Sequence, residues 1–348
     1  MSNWHQQLSD LEAILVDDFQ SGFPVEQRPY RCIANRLGYD ETTVHETVCD
    51  LFEAGIFRRI GPVLNPPVIG SSALVAMRIP ESELETAAET VNQFPEVNHN
   101  YERDHEWNMW FVVTADSRAR RTALLDEIES ATGYEVLALP MRTQYYISLE
   151  FPVANEAKLA ESTDAEALEP IRIDEEPADL TGIERRLVLE IQDGFGLSST
   201  PYRDLAETLD VEVSDVLAAI ESLSRQNAIK RIGFVVNHHV VGFDANCMVV
   251  WDVPAEGRDQ AGIAAGSHPS VTYCCHRVRR ESRGWPYTLF TMIHGRSAEA
   301  VEETIDELAA ERLPYEHQRL PTRAALKQTG ARYRELVHTD DVGERVRS

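Results

Sequence analysis

Pro29-Tyr30-Arg31 followed by Arg58-Arg59-Ile60-Gly61 returns later in the same chain as Pro201-Tyr202-Arg203 followed by Lys230-Arg231-Ile232-Gly233. Asn65 with Asn237 and Gly70 with Gly242 keep the same offset. A spacing held over so long a stretch means that a whole structural unit is duplicated and not a short motif. The fold must therefore be two copies of one plan, and function is expected where the copies differ. A chain of 348 residues has room for roughly two to four compact domains, so two copies of a two-part unit fit.

In the first copy Leu11, Ile14, Leu15 and Phe19 recur at helical spacing, and Cys32, Ile33, Ala34 and Leu37 give a second short helix ended by Gly38. Val44, Val48, Leu51 and Phe52 supply the buried stripe of a third, capped by Asp40 or Thr42 and ended by Gly55. Ile56 to Leu64 alternates around Gly61-Pro62, which suits the small β-hairpin that closes a winged helix-turn-helix. The period then changes to strands at Ala73 to Ile79, Val97 to Arg103, Trp107 to Thr114 and Tyr134 to Ser148, with helices at Glu81 to Phe94 and Ser117 to Ala131. This β-α-β-β-α-β order closes as an antiparallel sheet with both helices on one face, leaving the other face for a partner or ligand.

The second copy repeats the plan from Ile183 to Val236 and from Ala245 to about Leu326. The fold class is α+β: two tandem copies of a winged helix-turn-helix domain (1–66 and 181–238) followed by a ferredoxin-like βαββαβ domain (67–153 and 239–330). Residues 154–180, rich in Ala, Glu and Asp, read as a solvated acidic linker, and 331–348 as a C-terminal tail whose pattern decides nothing.

Charge is one-sided: 58 Asp plus Glu against 33 Lys plus Arg give a net −25. That opposes DNA binding, where basic side chains on phosphates supply most of the affinity. The stretches Glu41 to Glu53 and Glu212 to Glu221, where a recognition helix would lie, contain no Lys or Arg. An acidic, lysine-poor surface is expected of a halophilic protein, because high salt screens its self-repulsion; stability that did not rise with salt would contradict this. Cys32, Cys49, Cys247, Cys274 and Cys275 form no CxxC pair, no secretory leader is read, and no apolar run reaches a membrane span. A reducing, cytoplasmic setting is expected.

Chemistry is densest on two strands. His99, Tyr101 and Arg103 share one face of an extended segment, bringing imidazole, phenol and guanidinium together beside Trp107 and Trp110. The second copy has Tyr273-Cys274-Cys275-His276-Arg277 with Trp285 and Tyr287, and its arginines suit bidentate carboxylate binding. His238-His239 stands where the first copy has Pro66-Pro67. No zinc, Walker, GxSxG or Rossmann pattern occurs in its required context.

These residues resemble a specific family. The domain pair is similar to Lrp/AsnC regulators, and the motifs to siroheme decarboxylases. The first copy resembles the A-type subunit at Arg58 to Gly61, Val97 to Arg103 and Asn108 to Phe111. The second resembles the B-type at Arg231 to Gly233, His238, Gly242-Phe243, Asn246, Met248, Trp251, Trp285 to Tyr287 and Met292 to Arg296. The chain thus resembles a fusion of two subunits.

The resemblance implies removal of two acetate carboxyl groups of siroheme, at ring carbons 12 and 18, in the siroheme-dependent route to haem. It implies no cofactor beyond the substrate's own iron, no DNA or membrane partner, and halves packed as an intrachain pseudo-dimer, with further homo-oligomerisation open. His99 and Tyr101 would be proton donor and orienter. Arg103 and Arg277 would clamp carboxylates, and Trp107, Trp110, Trp285 and Tyr287 would contact the ring. His238 or His276 would meet the iron or an acid group.

Where the B-type pattern has histidine and tyrosine, this chain has Tyr273 and Cys275. Either His276 takes over by a strand shift or the second pocket has lost a catalytic group. The alternative functions are an Lrp/AsnC-type DNA-binding regulator and a haem-binding sensor without turnover.

Overall fold

The computed structural model describes residues 8–148, 150, 151, 153, 164–173, 177–237, 240–330 and 333. The first helical unit contains α1 (Asp10–Asp18), α2 (Pro29–Leu37) and α3 (Glu41–Glu53). Ser9 and Glu12 form a capping box on α1, Gly38 ends α2 in the left-handed conformation at φ 79°, and Asp40 caps α3 by accepting from the Thr43 amide.

Strand β1 (Phe57–Leu64) comes next, but it does not fold back into a wing. It pairs antiparallel with β8 (Ile229–Val236) of the second copy, Gly61 opposite Gly233, in a two-stranded sheet shared by both units. The expected hairpin is thus replaced by a strand pair across the duplication. The physical reason is local: Pro66 starts the short helix α4 (Pro66–Ile69) almost immediately after β1, so no return strand is available. Phe57 and Phe234 stack across the pair at 4.5 Å, and one apolar core runs through both helical units. Gly233 lies against the Gln20 carbonyl where any Cβ would clash, so close packing of the units requires glycine there.

The sheet strands are β2 (Ser71–Met77), β3 (Val97–Arg103), β4 (Met109–Ala115), β5 (Val136–Leu139) and β6 (Met141–Ile147), then β7 (Ile171–Arg172), β9 (Ala245–Trp251), β10 (Val271–Arg277), β11 (Leu289–Gly295) and β12 (His317–Gln328). They form one antiparallel array in the order β5-β2-β4-β3-β12-β9-β11-β10-β6-β7. Each copy lends its last strand to the other. β12 pairs with β9 over His317 to Pro321 and with first-copy β3 from Thr322 onward; β5 pairs with β2 at home, and β6 pairs with second-copy β10. The crossover falls at Leu139-Pro140 and Leu320-Pro321, where proline brings no N–H to a ladder. The expected single strand from Tyr134 to Ser148 is therefore two.

Because β5 and β6 are consecutive in the chain yet far apart in the strand order, the array curls on itself. Its outer face is covered by α5 (Leu84–Asn92) and α6 (Arg118–Thr132) in the first copy. In the second it is covered by α10 (Arg258–Gly266) and α11 (Ala298–Glu307), which come after α7 (Gly182–Ile191), α8 (Pro201–Leu209) and α9 (Val213–Arg225) in the chain. Its inner face holds a separate core from both copies, including Trp107, Trp110, Trp285, Phe290, Met248 and Leu320. The segment expected to be a solvated linker is partly structured: β7 adds an edge strand to β6, and Arg172 pairs with Asp259. In the tail Tyr333 is buried and its amide donates to Gln192 Oε1 at 2.9 Å.

Candidate functional site

Strand β3 is set by register. Tyr101 lies opposite Trp110 of β4 and Ala325 of β12, and His99 opposite Val112 and Gln328. Since Met109, Phe111 and Val113 pack under the helices and Trp110 packs in the inner core, His99 and Tyr101 point inward, as the alternation predicts. Their rings stack at 6.2 Å and 16°. Among the described residues neither makes a side-chain hydrogen bond, and His99 Nδ1 is buried without a partner. Burial, and then the positive charge of Arg58 on β1, holds His99 below the usual imidazole range. Arg58 is exposed and makes no hydrogen bond or ion pair among the described residues. A stacked imidazole and phenol thus lie on the inner face of the sheet, and the imidazole feels the charge of an Arg58 guanidinium that is uncommitted among the described residues.

Arg103 shares the face but is already engaged. It is buried, its Nη1 donates to Leu320 O at 2.6 Å and Thr322 Oγ1 at 3.1 Å, and its guanidinium stands 5.6 Å from the Tyr101 ring. Burial pulls its pKa down to about 10. Arg277 in the second copy makes the matching bond, Nη1 to Leu139 O at 2.7 Å, and donates from Nη2 to the Tyr273 hydroxyl at 2.8 Å. The carboxylate-clamp expectation for both gives way to a structural one. Each arginine pins the carbonyl just before the crossover proline of the opposite copy, and a carbonyl leaving one ladder for another needs such a donor.

The aromatic expectation is corrected in the same way. Trp107, Trp110 and Trp285 are at most 2% exposed, and Trp110 stands 5.3 Å from Trp285 with its Nε1 donating to Trp107 O. Their large apolar area closes the core between the copies and leaves no open ring face. Tyr287 is half-buried against Trp285 at 5.0 Å, at the rim of this core.

His276 does not converge with Arg277. It points to the helix-covered face beside Arg258, Asp259, Arg172 and Arg142, and burial first, then Arg258, lowers its pKa to about 4. Nor has the strand shifted to bring it inward. Cys275 lies opposite Phe290 as Tyr101 lies opposite Trp110, so Cys275 holds the station of Tyr101 and Tyr273 that of His99. His238 lies outside the described residues.

In the second copy Lys230, at the position of Arg58, turns in and donates to Gln144 Oε1 at 2.7 Å next to Cys275, and burial lowers its pKa to about 7. This station is therefore filled by Tyr273–Arg277 and Lys230–Gln144 hydrogen bonds. Arg58 was not singled out as a site residue by sequence reasoning. The signal was present in the repeat, where Arg58 and Lys230 are both basic at one offset.

Comparison with known proteins agrees with this frame. An AsnC-like ligand binding domain matches residues 69–146 and 240–327, and a siroheme decarboxylase NirDL-like HTH domain matches 12–58 and 184–229. The siroheme decarboxylase NirDL subunit of Paracoccus denitrificans (strain Pd 1222) is 35% identical over 335 residues, covering 95% of this chain and 99% of that one. The chain belongs to the siroheme decarboxylase family. The NirD subunit of Pseudomonas aeruginosa is 42% identical over 146 residues, which is 97% of its length but 42% of this chain, in keeping with a fusion of two family units. Among solved structures, siroheme decarboxylase NirDL aligns over 94% of this chain and 96% of that one, with a TM-score of 0.71 at 25% identity. The same family member in complex with an iron-uroporphyrin III analogue aligns with a TM-score of 0.69.

Proposed function

We infer that this chain decarboxylates siroheme to 12,18-didecarboxysiroheme in the siroheme-dependent route to haem, using the first-copy pocket. Kinship with siroheme decarboxylases over nearly the whole chain supports the reaction. The observation that carries the choice of pocket is the contrast at one station of the fold: among the described residues His99, Tyr101 and Arg58 are uncommitted, whereas Tyr273 bonds Arg277 and Lys230 bonds Gln144. A relative's complex with an iron-uroporphyrin III analogue supports a tetrapyrrole as ligand.

In each step the bond between an acetate methylene and its carboxylate breaks. Carbon dioxide leaves, the electron pair stays on the methylene carbon in conjugation with the macrocycle, and one proton converts it to methyl. Arg58 is suited to orient the carboxylate and His99 to deliver the proton, with the Tyr101 ring fixing the imidazole. In the free protein His99 is biased to its neutral form, so the incoming carboxylates supply the charge that favours imidazolium. No cofactor beyond the substrate's iron is invoked.

The same reading makes the helical units scaffolds. Their β1 and β8 strands are consumed in pairing each other, and the solvent face of α3 presents Glu46, Asp50 and Glu53 to any phosphate backbone. Anaerobic incubation with ferrous siroheme followed by mass spectrometry should show sequential loss of two carbon dioxide molecules. Tight binding without mass change would favour a sensor instead.

A further inference from the structure

The exchanged strands β6 and β12 meet β10 and β3 in one register. Tyr273, Cys275 and Arg277 lie opposite Ile147, Gln144 and Met141, and His99, Tyr101 and Arg103 lie opposite Gln328, Ala325 and Thr322. The β6 residues thus match the β12 residues at one constant offset, and Ala325 stands where the second station has Gln144. Directly opposite residues of an antiparallel pair share a face, so both project inward, with Tyr101 and with Cys275.

The two positions differ in exposure as well as in type. Gln144 is buried and accepts from Lys230 Nζ at 2.7 Å, whereas Ala325 is exposed, as is Gln328 opposite His99. The wall of the first station is open where that of the second is closed. Alanine is a poor strand former, so the ladder does not explain its place. Beyond Cβ, glutamine is a methylene carrying a planar primary amide. An acetate side arm is a methylene carrying a planar carboxylate, a group of the same size and shape. At the second station the amide oxygen meets a basic side chain at the repeat position of Arg58, and Arg58 itself makes no hydrogen bond or ion pair among the described residues.

We propose that Ala325 is the specificity-determining residue of the first station: by omitting the methylene-amide that Gln144 supplies in the second, it leaves a slot for one acetate arm of the tetrapyrrole, with the arm's carboxylate on Arg58. Gln144 is then a built-in copy of the bound arm, and it keeps the second station shut. A propionate arm, one methylene longer, overfills the slot, so the station sorts acetates from propionates. The inference rests on the reading of the first copy as the working pocket, but its test reads binding and not turnover.

Iron-uroporphyrin III and iron-coproporphyrin III are titrated by absorption spectroscopy; the second has methyl groups in place of the acetates and keeps the propionates. The wild type should bind iron-uroporphyrin more tightly by roughly tenfold, the worth of one charge-assisted contact. Ala325→Gln should bring iron-uroporphyrin down to the affinity of iron-coproporphyrin and leave the latter unchanged. Ala325→Ser, too short to fill the slot, should keep the wild-type preference. Because Ala325 is exposed, both variants should unfold at the wild-type temperature. In an Arg58→Met background the preference should already be gone, and Ala325→Gln should add no further loss. A wild type without preference, a preference that survives Ala325→Gln, an equal loss in Ala325→Ser or a further loss beside Arg58→Met overturns the proposal. So does an equal loss of affinity for both porphyrins in Ala325→Gln, which would make the position one of general packing. Absence of turnover with ferrous siroheme in a protein that shows the expected binding differences would reject the decarboxylase reading and leave the slot standing.

Discussion

Strands β3 and β10 occupy the same station in the two copies, with equivalent neighbours and the same arginine pin, and they carry different chemistry. On β3 the alternate positions leading to the pin hold His99 and Tyr101, stacked on each other and bonded to nothing among the described residues. On β10 they hold Tyr273 and Cys275, and the space beside them is crossed by the Tyr273–Arg277 and Lys230–Gln144 hydrogen bonds. Buried polar groups that satisfy one another rigidify a core, whereas polar groups left unsatisfied in a cleft mark a place where a ligand completes them. One duplicated frame thus separates the two uses of a polar cluster.

The sharpest way to break this contrast is through turnover. His99→Ala should lower the rate of decarboxylation by roughly 10²- to 10⁴-fold, the usual worth of a positioned proton donor, with the protein still folded. Tyr273→Phe removes a hydroxyl at the matching station and should leave the rate within about twofold. Initial rates from mass spectrometry of the tetrapyrrole decide it. Comparable losses in both variants would mean that both stations work.

The arginine pins test the part of the frame that the copies share. Arg103→Met and Arg277→Met each strip a charged donor from a carbonyl at the crossover, and each should cost about 1.5–3 kcal/mol of stability in denaturant unfolding. If the pins are equivalent the two costs should agree closely. A cost for Arg277→Met alone would show that the first pin is dispensable, and it would restore Arg103 as a candidate ligand for substrate carboxylates.

Much of this frame was legible in the sequence, and the exceptions have a common physical origin. Helices such as Glu41–Glu53 and the β-α-β-β-α-β order declare themselves through periodicity and caps, which are local. Which edge a strand joins is not local. Phe57–Leu64 has the alternation of a wing strand, and nothing in its period of two says that its partner is Ile229–Val236 and not its own hairpin. Pro140 and Pro321 were the available signs of the exchange, each sitting inside an otherwise strand-like run.

Residue type misled at the site for a related reason. Guanidinium binds a carbonyl as readily as a carboxylate, so Arg103 and Arg277 looked like substrate clamps, and an indole that covers a macrocycle is indistinguishable in sequence from one that closes a core. The pairing of His99 with Tyr101 was readable because it comes from alternation on a single strand. Arg58 belongs to β1 on the helical unit, and its approach to His99 needed the tertiary structure.

Lys230 sharpens the comparison by pH. Its folded pKa, about 7, lies below its ordinary value because burial disfavours the ammonium. The folded state therefore binds fewer protons than the unfolded state between the two values, so stability contributed at this position rises with pH from about 7 toward the ordinary lysine range. Lys230→Met should flatten that rise and raise stability at neutral pH by on the order of 1 kcal/mol, since a poorly compensated buried cation is removed. Arg58→Met, at the corresponding exposed position, should change neither the slope nor the stability noticeably. Unfolding free energies between pH 6.5 and 9.5, roughly the span of the shift, compare them.

The smallest effect is a fraction of a proton, and it bears directly on how His99 works. In the free protein burial and Arg58 lower its pKa, so the imidazole is neutral at pH 7. A bound polycarboxylate places negative charge beside Arg58 and His99 and raises that pKa. The bound state then holds more protons than the free state across the interval between the two values. Affinity for iron-uroporphyrin should accordingly rise as pH falls through the ordinary histidine range and level off below the lowered free-state value. Calorimetric titrations in buffers of different ionisation enthalpy should report an uptake of less than one proton per ligand, absent in His99→Gln. Uptake that survived in His99→Gln and vanished in Lys230→Met would move the titrating group, and with it the ligand, to the second copy.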